Sequence, residues 1–172
     1  LSVAGQKPSH MVMPAIHLNK EQCAGFFSQE LKEDIPSDIP YMIHTARRVL
    51  REEFLAADMG ITGANFGIAE NGAIGLVTNE GNARLVTTMP RIHVVILGYE
   101  KLIPKIEDAA KILRLLPRNG TCQRMTSYMT MVDGPTPVIY KKDGKMVEEN
   151  RKQYVILLDN GRLKAAEDPK LK

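Results

Sequence analysis

The stretch Phe66-Gly-Ile-Ala-Glu-Asn-Gly-Ala-Ile-Gly-Leu-Val-Thr78 decides the fold class of this chain. Its dipeptide Asn71-Gly72 stands between two apolar runs, a pattern typical of a β-hairpin with a two-residue type I′ turn. Both faces of the hairpin are apolar, so we expect other elements to cover it on both sides, as in a layered α/β domain.

The predicted register of the hairpin follows from the two-residue turn. In that register Phe66 faces Val77 and Ile68 faces Gly75, so that large side chains oppose small ones. Such pairing allows close packing of the layers above and below the hairpin.

Helical and strand patterns surround the hairpin. The β-branched run Ile92–Leu97, closed by Gly98, predicts a central buried strand. Three helices are predicted. The first begins at Asn19, with Gln22 as its capping-box partner. The second runs from about Tyr41 to Ala57 and should face inward with Ile43, Ala46 and Phe54, and the third runs from Pro104 through Leu116 and is ended by Pro117. Further strands are predicted at His10–Ala15, Ser127–Val132 and Tyr154–Asp159, and the charged segment 141–153 is predicted to be a solvated excursion.

Composition and charge exclude several classes of protein. A chain of 172 residues with 44% hydrophobic and 25% charged residues has the size and composition of one soluble globular domain. No apolar run approaches the roughly 20 residues that cross a bilayer, so we expect neither a membrane span nor a secretory signal. A net charge of +3 and 5% aromatic residues argue against a nucleic-acid partner.

Cysteine and histidine patterns give no metal site. The two cysteines, Cys23 and Cys122, form no C-x-x-C motif, so cysteine cannot supply a zinc site or an iron–sulfur cluster here. We expect two reduced, buried thiols, although one long-loop disulfide stays open as an alternative. His93 lies within an apolar strand, where we expect a hydrogen-bonded core residue.

Two polar, glycine-bearing segments flank the hairpin and predict a ligand site. The predicted register puts Asn65 opposite Thr78, which brings segments 60–65 and 78–84 to one end of the hairpin. We call this end the rim, and its candidate ligand-binding residues are Thr62, Asn65, Asn79, Glu80, Gly81, Asn82 and Arg84. Amides, a carboxylate, a guanidinium and glycine N–H groups suit a small anionic or polar ligand. The alternative is that these residues only form turns.

Glu70 is a second candidate, as a nucleophile or general base. It directly precedes the predicted turn, at the opposite end of the strand from Asn65, about 17 Å away at roughly 3.3 Å per residue. An exposed acid beside a turn is the plainer interpretation.

Three longer motifs resemble the lactate-utilisation (LUD) domain family. They are Gly60-Ile-Thr-Gly-Ala-Asn-Phe-Gly-Ile-Ala-Glu-Asn-Gly72, Thr78-Asn-Glu-Gly-Asn-Ala-Arg-Leu-Val-Thr87 and Ile106-Glu-Asp-Ala-Ala-Lys-Ile-Leu-Arg-Leu-Leu-Pro-Arg118. The chain is most similar to the iron–sulfur subunit of the bacterial three-component L-lactate oxidation system. This resemblance implies an α/β fold with a Rossmann-like layered sheet and flanking helices, of the ribose-phosphate isomerase and CoA-transferase kind.

The resemblance also implies a function. It implies a cytoplasmic role in oxidising L-lactate to pyruvate, as the non-cluster domain of an electron-transport subunit in an oxidoreductase complex with other subunits. We therefore expect a single domain over 1–172 that is truncated at both ends. The two [4Fe–4S] clusters of the family are expected in a C-terminal part beyond this chain, and no cofactor is expected within it.

Two alternatives from other classes stay open. The segment Ala69-Glu70-Asn71-Gly72 is similar to the stretch in which class I CoA-transferases carry a glutamate nucleophile, although Ala69 replaces the usual serine. In that reading Glu70 would be catalytic and would form an acyl intermediate. In the third reading the rim is a docking surface of a non-catalytic scaffold.

Overall fold

The computed structural model describes residues 1–10, 13–78, 80–126 and 128–170. The chain divides into two compact units, residues 1–53 and 54–172. The single domain predicted over 1–172, with truncated ends, stays a prediction.

The first unit contains α1 (Lys20–Leu31) and most of α2 (Ile39–Ala56). The predicted capping box of α1 is confirmed, because Asn19 Oδ1 accepts the N–H of Gln22 at 2.8 Å and Gln22 Oε1 accepts the N–H of Asn19 at 3.0 Å. The core of this unit consists of Ala24, Ile35 and Met42, with Cys23 and Phe27 packed against them.

Two expectations for the first unit change. Helix α2 buries Met42 and Thr45, whereas Ile43, predicted to face inward, is 57% exposed. Periodicity could not separate these two stripes, because apolar residues occupy adjacent positions of the helix. The predicted strand His10–Ala15 includes Met11 and Val12, which lie outside the described residues, and the described residues 13–17 form a bend and a turn.

In its described residues the second unit contains three sheets. The first is parallel, with β4 (Ile92–Gly98) between β1 (Met59–Gly63) and β9 (Lys152–Leu158). The second is mixed and consists, in spatial order, of β5 (Leu102–Ile103), β2 (Phe66–Ile68), β3 (Ile74–Thr78) and β6 (Tyr128–Val132). The third is the antiparallel pair β7 (Pro137–Lys142) and β8 (Lys145–Asn150). Helix α3 (Asn82–Thr88) joins β3 to β4, a 3₁₀ turn at Tyr99–Lys101 joins β4 to β5, and α4 (Ile106–Thr121) joins β5 to β6. Helix α5 (Arg162–Glu167) follows β9.

This arrangement is a mixed α/β fold with a parallel sheet and flanking helices. The predicted strands at 127–132 and 154–159 correspond to β6 and β9. Ser127 lies outside the described residues, and β9 begins at Lys152 and ends at Leu158, one residue before the predicted end at Asp159. None of the helices in the described ranges is both long and apolar enough to cross a membrane.

Two apolar clusters cover the two faces of the hairpin formed by β2 and β3. On one face Ile74 and Leu76 pack with Val95 and Leu97 of β4 and with Ala64. On the other face Phe66, Ile68 and Ala73 pack with Ala109 of α4. The hairpin is therefore covered on both sides and β4 is a central buried strand, as predicted.

The turn of this hairpin differs from the predicted one. Its loop has four residues, 69–72, because the N–H of Ile68 donates to the carbonyl of Ala73 at 2.8 Å. Within the loop only Gly72 has a left-handed φ, of 78°, whereas a type I′ turn requires one at two successive positions. The predicted two-residue turn at Asn71-Gly72 is therefore wrong.

Packing of one aromatic ring explains the register of the hairpin. Phe66 pairs with Gly75 instead of Val77, a shift of two residues from the prediction. The Phe66 ring lies directly on Gly75, where a Cβ atom would be 2.1 Å from the ring carbon Cζ. A shift of two residues leaves every side chain on its predicted face, which is why the coverage was still predicted correctly.

The charged segment 141–153 contains a two-residue hairpin turn. Asp143 and Gly144 have φ values of 50° and 80°, and Lys142 pairs with Lys145. Positive φ at both central positions is the geometry of a type I′ turn. This turn joins β7 and β8, most of whose side chains are exposed.

Helix α4 continues beyond its predicted end at Leu116. Pro117 lies inside the helix and is buried. A proline lacks the N–H that would bond to the carbonyl four residues earlier, but it keeps its own carbonyl, which accepts the hydroxyl of Thr121 at 3.2 Å. Packing of the ring offsets the lost bond, and the helix ends at Cys122 in a left-handed conformation.

Candidate ligand-binding site

The turn from β3 into α3 forms the centre of the rim. The hydroxyl of Thr78 lies 2.9 Å from Glu80 Oε2 and 3.1 Å from Asn82 Oδ1, and it accepts the N–H of Glu80 at 3.2 Å. Asn82 begins α3, an element that the sequence analysis missed because its seven residues are too few for a helical period. Thr78, Glu80 and Asn82 thus converge as predicted, while Asn79 lies outside the described residues.

Asn65 joins the rim to the strand that precedes the hairpin. Its Oδ1 accepts the N–H of Val77 at 2.7 Å, and its own N–H donates to the carbonyl of Gly75 at 2.9 Å. The segments 60–65 and 78–84 therefore meet at one end of the hairpin despite the shifted register. Because its side-chain carbonyl already binds the backbone, Asn65 offers a ligand mainly its amide N–H₂ group.

Arg84 is the exposed cation of the rim. Its guanidinium lies over the ring of Tyr128, with Cζ 5.1 Å from the ring centroid. Gly81, which has a left-handed backbone conformation, lies against the same ring: a Cβ atom placed on Gly81 would be 3.7 Å from Cε2 of Tyr128. In the described part of the chain Arg84 forms no ion pair with a carboxylate.

Tyr128 is a rim residue that the sequence analysis missed. It reaches the rim because β6 pairs antiparallel with β3 and places Tyr128 opposite Thr78. The two residues are 50 positions apart, so no local pattern in the sequence indicates that they are close. Predicting it would have required the pairing of β6 with β3 to be known.

Thr62 belongs to a buried polar layer rather than to the exposed part of the rim. Its hydroxyl lies 2.9 Å from Nε2 of His93, and both side chains are buried. The predicted role of His93 as a hydrogen-bonded core residue is confirmed. Burial, together with the positive charge of Arg151, lowers the pKa of His93 below its ordinary value.

Arg151 is a buried guanidinium that bonds to oxygen atoms of uncharged groups. It donates to the carbonyl of Pro90 at 2.8 Å, to the hydroxyl of Thr136 at 2.7 Å and to the carbonyl of Thr88, the last residue of α3. A cation at the carboxyl end of a helix is favourably placed. Arg151 thus fixes the end of α3, whose first turn carries Arg84.

Glu70 lies away from the rim, at the closed end of the hairpin. It is exposed, and its N–H donates to the carbonyl of Pro104 at 3.2 Å. The preceding N–H, of Ala69, donates to the carbonyl of Ile103 at 2.9 Å. The backbone at Glu70 is therefore held beside β5, and the structure does not bring Glu70 together with the other candidate residues.

A charged group at the carboxyl ends of the parallel strands was also missed. Arg162 lies 3.4 Å from the carboxylate of Glu100, and Lys101 Nζ donates to the carbonyl of Ala64 at 3.4 Å. Ligands of open α/β sheets often bind at this edge, which would have been the signal for these residues.

The residues of this chain do not fit an iron–sulfur cluster. Cys23 is half-buried and Cys122 is exposed, and both are free thiols, so the expectation that both are buried is wrong for Cys122. Within the described ranges, no three or more His, Cys, Asp or Glu side chains are grouped so that they could hold a metal ion. A [4Fe–4S] cluster needs about four cysteine thiolates.

Comparison with known proteins shows the family. The LUD domain matches residues 4–158, and this chain belongs to that family. It is 43% identical over 157 residues to lactate utilization protein B of Macrococcus caseolyticus (strain JCSC5402), covering 91% of this chain and 32% of that protein. It is 40% identical over 155 residues to lactate utilization protein B of Bacillus subtilis (strain 168), covering 90% and 31%. The chain thus spans about a third of the length of the curated relatives it matches.

One solved structure is also similar. It is the crystal structure of a DUF162 family protein from Deinococcus radiodurans, with a TM-score of 0.43 and 21% identity. The similarity covers 62% of this chain and 56% of that one.

Proposed function

We propose that this chain is the non-cluster domain of an electron-transfer subunit that takes part in the oxidation of L-lactate to pyruvate in the cytoplasm. The observation that carries the proposal is the 40–43% identity, over about 90% of the chain, to proteins named lactate utilization protein B. In this proposal the fold is of the ribose-phosphate isomerase and CoA-transferase kind, and the domain works in a complex with other subunits.

The electrons of this reaction require acceptors that the chain itself does not supply. Oxidation of lactate to pyruvate releases two electrons and two protons, and the residues present here do not fit a cluster that could take them. Any [4Fe–4S] cluster would be held by residues outside this chain. The part left to this domain is to bind a ligand or a partner subunit.

The chemistry of the rim supports binding of a small carboxylate. Arg84 presents a planar fork of N–H donors that matches a carboxylate, and among the described residues it forms no ion pair that would occupy this fork. The ring of Tyr128 holds one face of the guanidinium, which reduces the ordering that binding would require. The exposed amide of Asn82 and the N–H₂ of Asn65 can add hydrogen bonds to a hydroxyl or keto oxygen.

Calorimetric titration with L-lactate and pyruvate tests this site. Each charge-assisted hydrogen bond contributes about 1.5–3 kcal/mol, so Arg84→Gln should weaken binding at least tenfold. Arg114→Gln is the matched control, because Arg114 is also an exposed arginine on a helix of the same unit. Arg84→Lys should restore only part of the affinity, because an ammonium group lacks the fork.

Lactate oxidation by the full-length protein with its partner subunits tests the role of the domain. We expect Arg84→Gln to reduce turnover and Glu70→Gln to leave it near the wild-type rate. If Glu70→Gln abolishes turnover while Arg84→Gln is silent, the rim is not the site and the transferase-like use of Glu70 takes its place.

A further inference from the structure

Strand β9 is the outer strand of the parallel sheet, and its free edge can be assigned residue by residue. The N–H of Lys152 donates to the carbonyl of Arg91 at 3.0 Å, and the pairing continues to Gly98 opposite Leu158. In a parallel ladder alternate residues point both backbone groups to the same neighbour. The even-numbered residues of β9 therefore bond to β4, while Gln153, Val155 and Leu157 point their N–H and carbonyl groups outward. No strand in the described part of the chain pairs with that outer edge.

The side chains of β9 are unusually exposed for their type. The five consecutive apolar residues 154–158 are 39–53% exposed. On β4, Val95 and Leu97 are at most 1% exposed although their partners Val155 and Leu157 lie on the same face, whereas Ile96, the partner of Ile156, is 39% exposed. Soluble proteins protect such edges with a proline, a bulge, or a charge in the middle of the strand. β9 has none of these, since its one charged residue, Lys152, stands at its beginning.

The order of residues along β9 is self-complementary when two copies run antiparallel. A hydrogen-bonded pairing of the two outer edges must place odd-numbered residues opposite odd-numbered residues, which limits the register to steps of two. With Ile156 opposite itself, apolar residues meet apolar residues and polar residues meet polar ones: Val155 with Leu157, Tyr154 with Leu158, Gln153 with Asp159, and Lys152 with Asn160.

Neighbouring registers lack this match. One step in one direction places Lys152 opposite Leu158, and one step in the other places Val155 opposite Asp159. A charge opposite a large apolar residue loses its solvation without gaining a partner. One register is therefore favoured over the two beside it.

We propose that the outer edge of β9 binds β9 of a second copy of this chain, antiparallel and about a two-fold axis at Ile156. The pairing joins the two parallel sheets into one sheet of six strands. It uses the same surface on both copies, so the assembly closes as a dimer. The carboxylate of Asp159, one oxygen of which accepts the N–H of Gly161 at 3.0 Å, receives the Gln153 amide of the second copy on its other oxygen.

Sedimentation velocity over a range of concentrations, with the whole 172-residue chain, tests the edge assignment. We expect a monomer–dimer equilibrium for the unmodified chain. Val155→Pro removes an N–H that only the second copy would use, so it should abolish the dimer and leave the melting temperature of the monomer close to that of the unmodified chain. Ile156→Pro is the matched control: it removes an N–H bonded to β4, so it should lower the melting temperature sharply.

Charge substitutions at Gln153 test the register without disturbing the backbone. Gln153→Glu places one carboxylate opposite the carboxylate of Asp159 at each of two symmetric positions, and Gln153→Lys places an ammonium group opposite Asp159 there. Since cross-strand pairs contribute roughly 0.2–1 kcal/mol each, the dimer should dissociate about two- to thirty-fold more readily with Glu and less readily with Lys by a similar factor.

Three results would overturn the proposal. They are a chain that stays monomeric at every concentration, assemblies that grow beyond a dimer, and a shift in the same direction for Gln153→Glu and Gln153→Lys. The dimer proposal does not require lactate oxidation to fall when dilution dissociates the dimer. If the dimer proposal fails, the proposed function is therefore not affected.

Discussion

Adding one methyl group at Gly75 should destabilise the core of the second unit. The ideal Cβ position there lies 2.1–2.5 Å from three carbon atoms of the Phe66 ring, far closer than carbon atoms can approach. Phe66 is almost completely buried between its neighbours and cannot move away. Overpacking of this kind costs about 1–3 kcal/mol, so Gly75→Ala should lower the melting temperature by roughly 2–12 °C.

A double-mutant cycle shows which residue is responsible for that cost. Phe66→Leu removes the ring atoms that the new methyl group would strike, so the double variant should be more stable than the two single effects predict, by about 0.5–3 kcal/mol. The control cycle pairs Gly75→Ala with Ile68→Val and should be additive within about 0.5 kcal/mol. Urea denaturation followed by circular dichroism supplies the free energies of unfolding.

The cycle separates the two possible registers of the hairpin. In the register of a two-residue turn, Gly75 would face Ile68, and the coupling energy would appear in the control cycle instead. Coupling between Gly75 and Ile68, together with additivity between Gly75 and Phe66, would refute the packing argument given for the register.

Three further predictions follow from the second unit. Because the pKa of His93 is lower in the folded chain than in the unfolded one, the unfolded chain binds more protons below about pH 6.5, so stability should fall as the pH drops below that value. His93→Gln should flatten this dependence in urea titrations at several pH values, and an unchanged dependence of stability on pH in that variant would contradict it. Gly72→Ala should cost about 1–2 kcal/mol, because its φ is left-handed in a loop between core strands, whereas Gly144→Ala should change the melting temperature less because its hairpin is exposed; equal losses would refute this. The purified chain should contain no stoichiometric iron in a colorimetric iron assay, and a brown preparation that survives replacement of both cysteines would disprove that statement.

Local signals in the sequence predicted most elements of the fold. The capping box at Asn19 and Gln22 fixed the start of α1, because its hydrogen bonds involve residues only three positions apart. The β-branched run Ile92–Leu97 predicted the central strand, because such a run is stable only where neighbours cover both faces. These features depend on near neighbours in the chain, which a single sequence displays.

Long-range packing decided the details that the sequence analysis got wrong or missed. Asn71-Gly72 has the composition of a type I′ turn, yet the fit of Phe66 on Gly75 outweighs the preference of the turn. A proline is typical of the end of a helix, yet Pro117 is buried and lies within α4. Local preferences are worth about 1–3 kcal/mol, and burial of an aromatic or proline ring matches or exceeds that.

Some residues of the candidate site were predictable from local sequence, and others were placed only by long-range packing. The sequence by itself placed Asn65, Glu80, Asn82 and Arg84 at one end of the hairpin, because the ends of two joined strands must meet whatever the register. Only the tertiary structure brought Tyr128 beneath Arg84 and moved Thr62 into the buried layer. The pairing of β6 with β3 and the packing of Thr62 on His93 join residues 50 and 31 positions apart, and no pattern within a single stretch of chain carries that information.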